Sequence, residues 1–468
     1  MKKKLLTIIS CFILCICALA LTACGFPALT GGPNASDTVY GNGGFAVRKG
    51  EYMYFANSYS SRSIGENDNK YGSETLSAIY RVKLNSRGLV DTDDDGKVQN
   101  VEILARQIAG FKSSGIYIFD NYIYYATPKS LKVKSDVGSS ELLEGLLSFE
   151  RIKLDGTDHN TIYSINTLGE DLVYNFAKVG GNVCLTVLNN GELKTVLANK
   201  SESKTLATGV TSVVFPKVEN IPNNYSVSEF DSYCYYTKTA TIENDGYNGT
   251  MIAKRKLDGS KAEETLDTAS TATMVEAKNG RVYFTLSDGI LYSTDDLTFN
   301  KNTNNQYSYN KLSSQIILND DNSTDIGLVG LVNTSIVYFR KGGEKHVLYT
   351  AESGETVTLL YVENNNIFYT LGDNTLYSKV IYKSSYTGNE KNEEGTIHSK
   401  NINLTTDSTS IYDYDNSYFF YFNTVEESNK TYSYMHMVKT FETNEFGETF
   451  ETFVGVLDST DILANEEE

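Results

Sequence analysis

Tryptophan is absent from the 468 residues, proline occurs 5 times and histidine 4 times. So little proline excludes a polyproline or collagen-like chain. The histidines, His159, His346, His398 and His436, share no metal spacing of the H-E-x-x-H kind. No G-x-S-x-G nucleophile elbow and no phosphate-cradling glycine loop stands in the chain, and Ser201-Glu202-Ser203-Lys204 matches S-x-x-K without its companion motifs. Helical periodicity is missing too; only Glu141–Phe149, ELLEGLLSF, reads as a turn or two of helix. Positive charge is in deficit, with 41 Lys and Arg against 59 Asp and Glu, a formal −18. Such a surface repels nucleic acid and anionic lipid headgroups and attracts cations.

Cysteine is sparse, and half of it is clustered at the start. Of 6 cysteines, Cys11, Cys15 and Cys17 fall in the first 23 residues, leaving Cys24, Cys184 and Cys234. Two downstream cysteines make no disulfide framework. Cys184 and Cys234 sit among apolar and aromatic neighbours, which suits buried small hydrophobes; pairing with each other outside the cell is the alternative.

The first residues read as a secretory signal. Lys2–Lys4 form a positive region, Leu5 to Ala20 an apolar run, and Leu21-Thr22-Ala23-Cys24 brings small residues to a cysteine. Those last four resemble the bacterial lipobox. The resemblance implies cleavage after Ala23 and a diacylglyceryl thioether on Cys24, with acyl chains of the palmitate kind. Two chains suffice for stable anchoring, at roughly 0.8 kcal/mol per buried CH₂. An uncleaved transmembrane helix over Leu5–Ala23 is the alternative and gives the same location. The expectation is therefore a protein on the extracytoplasmic face of the cell membrane, held by lipid alone. Residues 1–23 are the signal peptide and residues 24–43, rich in Gly and Pro, a flexible tether.

What is abundant is tyrosine, 34 residues, with 21 phenylalanines. They recur in one unit: a turn of Gly, Asn or Asp followed by a short aromatic and β-branched strand. Copies include Gly50–Phe55, Asp120–Tyr125, Asp231–Tyr236, Asn279–Phe284, Asn333–Tyr338, Asn365–Tyr369 and Asp415–Phe420, with a degenerate one at Gly181–Leu185. A second unit follows some of them: Arg81-Val82-Lys83-Leu84-Asn85, Arg151-Ile152-Lys153-Leu154-Asp155-Gly156 and Lys254-Arg255-Lys256-Leu257-Asp258-Gly259. Asp-Gly after an alternating strand is a hairpin signal. Short strands repeated at this spacing predict a single all-β domain over 44–463. It is a β-propeller of seven or eight four-stranded blades, followed by an acidic tail, 464–468. The units resemble YWTD-type propellers of the LDL-receptor class and bacterial propeller lipoproteins similar to them. Phe284–Asp288, Tyr369–Asp373 and the Leu-Asp-Gly turns carry that resemblance.

One stretch stands apart. DTDDDGKVQNVE fits a twelve-residue calcium loop, with Asp91, Asp93 and Asp95 at positions one, three and five and Gly96 at six. Lys97 would offer its carbonyl, Gln99 a water-mediated contact, and Glu102 a bidentate carboxylate. The flanks read as strands, so the Ca²⁺ would order an inserted rim loop; a solvated acidic turn is the alternative. Asp320–Asp325 lacks the Gly and the closing Glu and reads as a turn. The resulting expectation is a monomeric, non-enzymatic module binding a protein or cell-envelope ligand. The competing one is a polysaccharide lyase or glycosidase with acids and tyrosines over the axis.

Overall fold

The computed structural model describes residues 28–56, 79–86, 88–91, 100–105, 115–128, 147–167, 169–200, 202–216, 218, 221–222, 227–242, 247–266, 271–278, 280–294, 297, 306–307, 316–318, 328–339, 345–363, 366–372, 375–380, 397–401, 412–415, 418–427, 430–440 and 446–450. The lipobox residues Leu21, Thr22, Ala23 and Cys24 lie outside these. So do Asp93, Asp95, Lys97 and Gln99, the 141–146 part of the expected helical turn, Asp320–Asp325 and the acidic tail.

Eight antiparallel sheets follow one another along the chain, each made of consecutive strands, seven with four strands and the first with five. The first sheet holds Val39–Tyr40, Ala46–Lys49, Tyr52–Ala56, Ile79–Lys83 and Glu102–Ala105. The second holds Tyr117–Phe119, Tyr122–Pro128, Leu147–Lys153 and Asn160–Ile165. The third comprises Val173–Val179, Asn182–Asn189, Glu192–Leu197 and Glu202–Thr208, and the fourth Val210–Val214, Tyr233–Ile242, Tyr247–Lys256 and Glu264–Leu266. The others occupy 272–307, 316–350, 357–401 and 412–450. The fold is a β-propeller, with eight blades among the described residues.

The two repeated units turn out to be partners across one sheet. Tyr52 pairs with Lys83 and Tyr54 with Arg81 in the first sheet, Tyr122 with Lys153 and Tyr124 with Arg151 in the second. In the fourth, Tyr233 pairs with Lys256 and Tyr235 with Lys254. On each sheet a cation leans diagonally over the leading ring: Arg81 over Tyr52 at 5.3 Å, Arg151 over Tyr122 at 5.0 Å, Lys254 over Tyr233 at 5.0 Å. A ring quadrupole attracts such a cation by about 0.5–2 kcal/mol, more as water is excluded. The leucine that follows then closes the hairpin. Leu84, Leu154 and Leu257 donate their N–H to the carbonyls of Glu51, Asn121 and Ser232 at 2.7, 2.9 and 2.9 Å.

Packing between neighbouring sheets reuses the same positions. Arg81 donates to the Leu154 carbonyl of the second sheet at 3.2 Å, and Thr195 of the third sheet to the Leu257 carbonyl of the fourth at 2.5 Å. Gly115 leads into the second sheet so close to the first that a Cβ there would lie 1.9 Å from the Gly44 carbonyl oxygen. Cys184 and Cys234 are free and buried in the core between the third and fourth sheets.

The ring closes where the eighth sheet meets the first. Tyr418 is 4% exposed and lies within the core of the first sheet. Its hydroxyl donates to the Gly88 carbonyl at 2.6 Å, and the Arg48 guanidinium sits 5.3 Å from its ring and 4.2 Å from that of Tyr40. Among the described residues no sheet mixes strands from the two ends of the chain. Closure among the described residues therefore rests on side chains and not on a shared ladder. Tyr418→Ala is expected to lower stability by about 3–5 kcal/mol, as loss of a buried aromatic does, whereas Tyr418→Phe removes one hydrogen bond, about 1 kcal/mol. Urea titrations of the two variants beside wild type check this. Equal midpoints for all three would mean the ring does not depend on that contact.

Candidate functional site: the axial cavity and the strap beside it

Because strands alternate in direction, the connections fall at two ends of the ring. The turns at 50–51, 120–121 and 154–157 share one, the hairpin end, and side chains tie it together. Lys49 Nζ donates to the Asp120 carbonyl and Lys178 Nζ to Asp120 Oδ1, each at 2.6 Å. Burial lowers the pKa of Lys49, which the charges of Asp120 and Asp37 oppose. The opposite end carries the turns at 41–45 and 190–191, where Asp171 accepts from the N–H groups of Asn190 and Gly191 at 2.7 and 2.6 Å.

Residues 28–38 lie across the hairpin end as a docked strap. Leu29 donates its N–H to the Asp155 carbonyl at 2.9 Å. Arg81, fully buried, reaches the Gly31 carbonyl at 3.0 Å and the Thr30 carbonyl at 2.9 Å through its two Nη atoms, and Glu102 Oε2 at 2.7 Å through Nε. Asp37 accepts from the Asn34 N–H at 2.7 Å and packs on Gly50, whose φ of 59° and lack of Cβ allow an approach that any side chain would block at 2.2 Å. The flexible tether expected over 24–43 is thus fixed from residue 28 onward, because an unsatisfied buried guanidinium draws those carbonyls in.

The acidic loop begins in the same neighbourhood. Asn85 accepts from the Gly88 N–H at 2.9 Å and donates its own N–H to Leu89 at 2.7 Å, while its Nδ2 donates to Asp91 Oδ1 at 3.0 Å. Glu102 opens the outermost strand of the first sheet with one carboxylate oxygen committed to Arg81. Among the described residues no three His, Cys, Asp or Glu side chains gather as a metal site.

A cavity of about 370 Å³ lies on the axis, lined by the inner strands of the first five sheets. That volume suits a small ligand or a protruding side chain. Gly41–Gly44, Tyr117, Phe176, Val214 and Val275 form its wall, and Phe215, Pro216, Val218, Ile221 and Val227 come from the connection between the first two strands of the fourth sheet. That connection crosses to the first sheet: Val39 and Ile221 exchange backbone hydrogen bonds at 2.9 and 2.8 Å. The crossing lies at the hairpin end and lines that side of the cavity.

The wall is mostly apolar and its tyrosines are engaged in packing. Tyr117 meets Phe176 at 5.4 Å between ring centres, and Tyr174 meets Phe149 edge-on at 5.0 Å. Lys178 is held by Asp120. Asp231 accepts from the Ser228 hydroxyl at 2.6 Å, and Glu276 is the other acid of the wall. Apolar walls with two carboxylates favour an apolar group carrying positive charge.

A second polar cluster lies in the second sheet. Glu150 is 1% exposed and accepts from Ser148 and, at 3.0 Å, from Thr161. His159 Nε2 stands 3.5 Å from Glu150 Oε2 and 3.2 Å from the Tyr125 hydroxyl. His159 is half-exposed and caps this carboxylate. His346, His398 and His436 fall in strands of three different sheets. Ser148 bonds the carboxylate and not the imidazole, so the three do not form a nucleophile–base–acid relay.

Burial pushes the Glu150 pKa up, but hydrogen bonds from His159, Ser148 and Thr161 outweigh it and hold the carboxyl below its ordinary 4.5. A lowered folded-state pKa gives stability that is complete above the unfolded value and is lost as pH falls through the folded one. Glu150→Gln is therefore expected to narrow the stability difference from wild type as pH drops below about 4.5. Thermal melts between pH 3 and 6 measure it; a gap that stays constant or widens toward acid would count against the assignment.

No family model and no curated protein matches this chain. Among solved structures it is similar to a eukaryotic initiation factor, at 9% identity over 92% of this chain and 90% of that one, with a TM-score of 0.43. It is similar to an acylaminoacyl peptidase of Pyrococcus horikoshii at 10% identity, over 75% of this chain and about half (52%) of that one, TM-score 0.38. A nidogen/laminin complex matches at 13% identity over 51% of this chain and 89% of that one, TM-score 0.30. None of these likenesses bears on function.

Proposed function

We propose that this chain is a lipid-anchored β-propeller on the extracytoplasmic face of the membrane, binding a protein or cell-envelope partner through its axial cavity. The observation that carries the binding half is the cavity itself, mostly apolar, acid-bearing and spanned at one end by the Val39–Ile221 crossing. The partner it suits presents an apolar or aromatic group beside a basic one. The lyase or glycosidase alternative would need free tyrosines and acids at the axis, and Tyr117 and Tyr174 are instead built into the sheet contacts. A photo-crosslinking residue at Asn175, on the wall, is expected to capture an envelope component in intact cells, and the same residue at Lys200, on a turn away from the axis, none. Equal capture from both positions would remove the cavity from the proposal.

The membrane half rests on the Leu21-Thr22-Ala23-Cys24 sequence. Incorporation of labelled palmitate that Cys24→Ser abolishes would support it, and unlabelled protein released into the medium would end it. Calcium belongs to the same reading, as an ion ordering the 91–102 loop through Asp91, Asp93, Asp95, the Lys97 carbonyl, Gln99 and Glu102. The described residues fit it in part, since Arg81 occupies Glu102 Oε2 and leaves Oε1 as the ligand atom. At ten times its dissociation constant calcium adds about 1.4 kcal/mol. Melts with calcium and with chelator are expected to differ by that amount in wild type and to coincide in Asp93→Ala; coincidence in wild type would dispose of the ion.

A further inference from the structure

The strap fixes which end of the ring can face a bilayer. Leu29 is pinned at the hairpin end by the Asp155 carbonyl, and Arg81 holds the two residues after it. Cys24 precedes Leu29 by five residues, a reach of at most about 18 Å when fully extended. The ring is about as tall as its inner strands: Val173–Val179 has seven residues and rises about 20 Å. An acyl chain on Cys24 must also pass several ångströms of headgroup before it meets hydrocarbon. A link that short cannot run from Leu29 down the side of the ring and still enter a membrane beneath the opposite end.

The cavity gives a second, independent sign. Its hairpin end is spanned by the Val39–Ile221 crossing and lined by Phe215, Pro216, Val218 and Ile221, while the Gly41–Gly44 turn borders it toward the opposite end. Net charge favours neither end. At −18 the chain is repelled by anionic headgroups over a Debye length of about 8 Å, so the ring is held by its strap and does not adhere by a face.

We infer that the propeller stands on the membrane with its hairpin end toward the lipid, and that partners approach the axial cavity from the far end, past Gly41–Gly44. This rests on the lipid-anchor reading and adds to it a defined orientation. The turns at 120–121 and 258–261 are then membrane-proximal, and those at 166–167 and 190–191 face away.

Single cysteines can report this, because Cys184 and Cys234 are buried and Cys24 would be acylated. Asn121→Cys and Ser260→Cys probe the hairpin end, Asn166→Cys and Asn190→Cys the far end; all four sites are exposed. Each variant of the full lipoprotein is labelled with a donor dye and reconstituted into phosphatidylcholine vesicles that carry an acceptor lipid. Energy transfer is expected to be at least twofold greater from positions 121 and 260 than from 166 and 190. Flotation of the same vesicles separates the two readings. Protein that does not float removes the anchor, and the orientation with it. Protein that floats with equal transfer from all four sites, or with the reverse order, overturns the orientation alone.

Discussion

A guanidinium taken out of water must find an acceptor for nearly every N–H, and Arg81 finds four of them in three separate parts of the chain. It holds Glu102 of its own sheet, the Leu154 carbonyl of the next, and the Thr30 and Gly31 carbonyls of the strap. Breaking a buried charge away from its partners costs about 3–5 kcal/mol. A loss of that size is a large fraction of the net stability of most domains. The strap therefore stays docked because releasing it would leave a buried cation with unmet donors. The direction in which the N-terminal residues leave the ring, and so the end presented to a membrane, follows from that one side chain.

The same economy recurs in the second and fourth sheets. A third-strand cation leaning over a second-strand tyrosine is attracted to the ring and covers it with its aliphatic stem. In those sheets tyrosine does two jobs in a chain without tryptophan: the ring supplies area and its face holds the neighbouring charge. At the closing contact the pattern is extended, with Arg48 lying against both its cross-strand partner Tyr40 and Tyr418 of the eighth sheet. Among the described residues no ladder of backbone hydrogen bonds crosses between the eighth sheet and the first, so that joint depends on these side chains.

Much of this was readable in the residues, and the division is physical. Turn chemistry and aromatic alternation are local, so the hairpins of the first, second and fourth sheets and the all-β class could be taken from Gly50–Phe55, Asp120–Tyr125 and Asp231–Tyr236. The contacts that decide the site are not local. Arg81 meets a strap fifty residues upstream, Tyr418 meets Gly88 from the far end of the chain, and Ile221 bonds Val39 across the axis. Composition made residues 24–43 look like a free tether, because glycine and proline mark loose chain only when nothing buried competes for their carbonyls. The recurring Arg or Lys two residues before Lys-Leu was the available signal for Arg81; its basic character alone did not say that it would be buried. Glu150 left less to find. An acid next to an arginine in an alternating strand reads as exposed, and only the pairing of Tyr125 with Glu150 puts it on the inner face.

The acidic loop joins these themes. Glu102 stands between two claims on its carboxylate, a guanidinium at 2.7 Å and the expected ion. The guanidinium is fixed by three carbonyls besides, so it cannot move aside without freeing the strap. An ion at Glu102 would have to share that carboxylate with a cation already in place, and two positive charges on one carboxylate repel each other. The repulsion is tolerable at a half-exposed position, where water screens it, and would be prohibitive in the dry core. Glu102 is about a third exposed and Arg81 not at all. The stable arrangement keeps the guanidinium on the inner oxygen and leaves any ion to the outer one. A cation bound there would add its field to the group that clamps the strap, making occupancy of the loop and docking of the N-terminal segment parts of a single electrostatic balance.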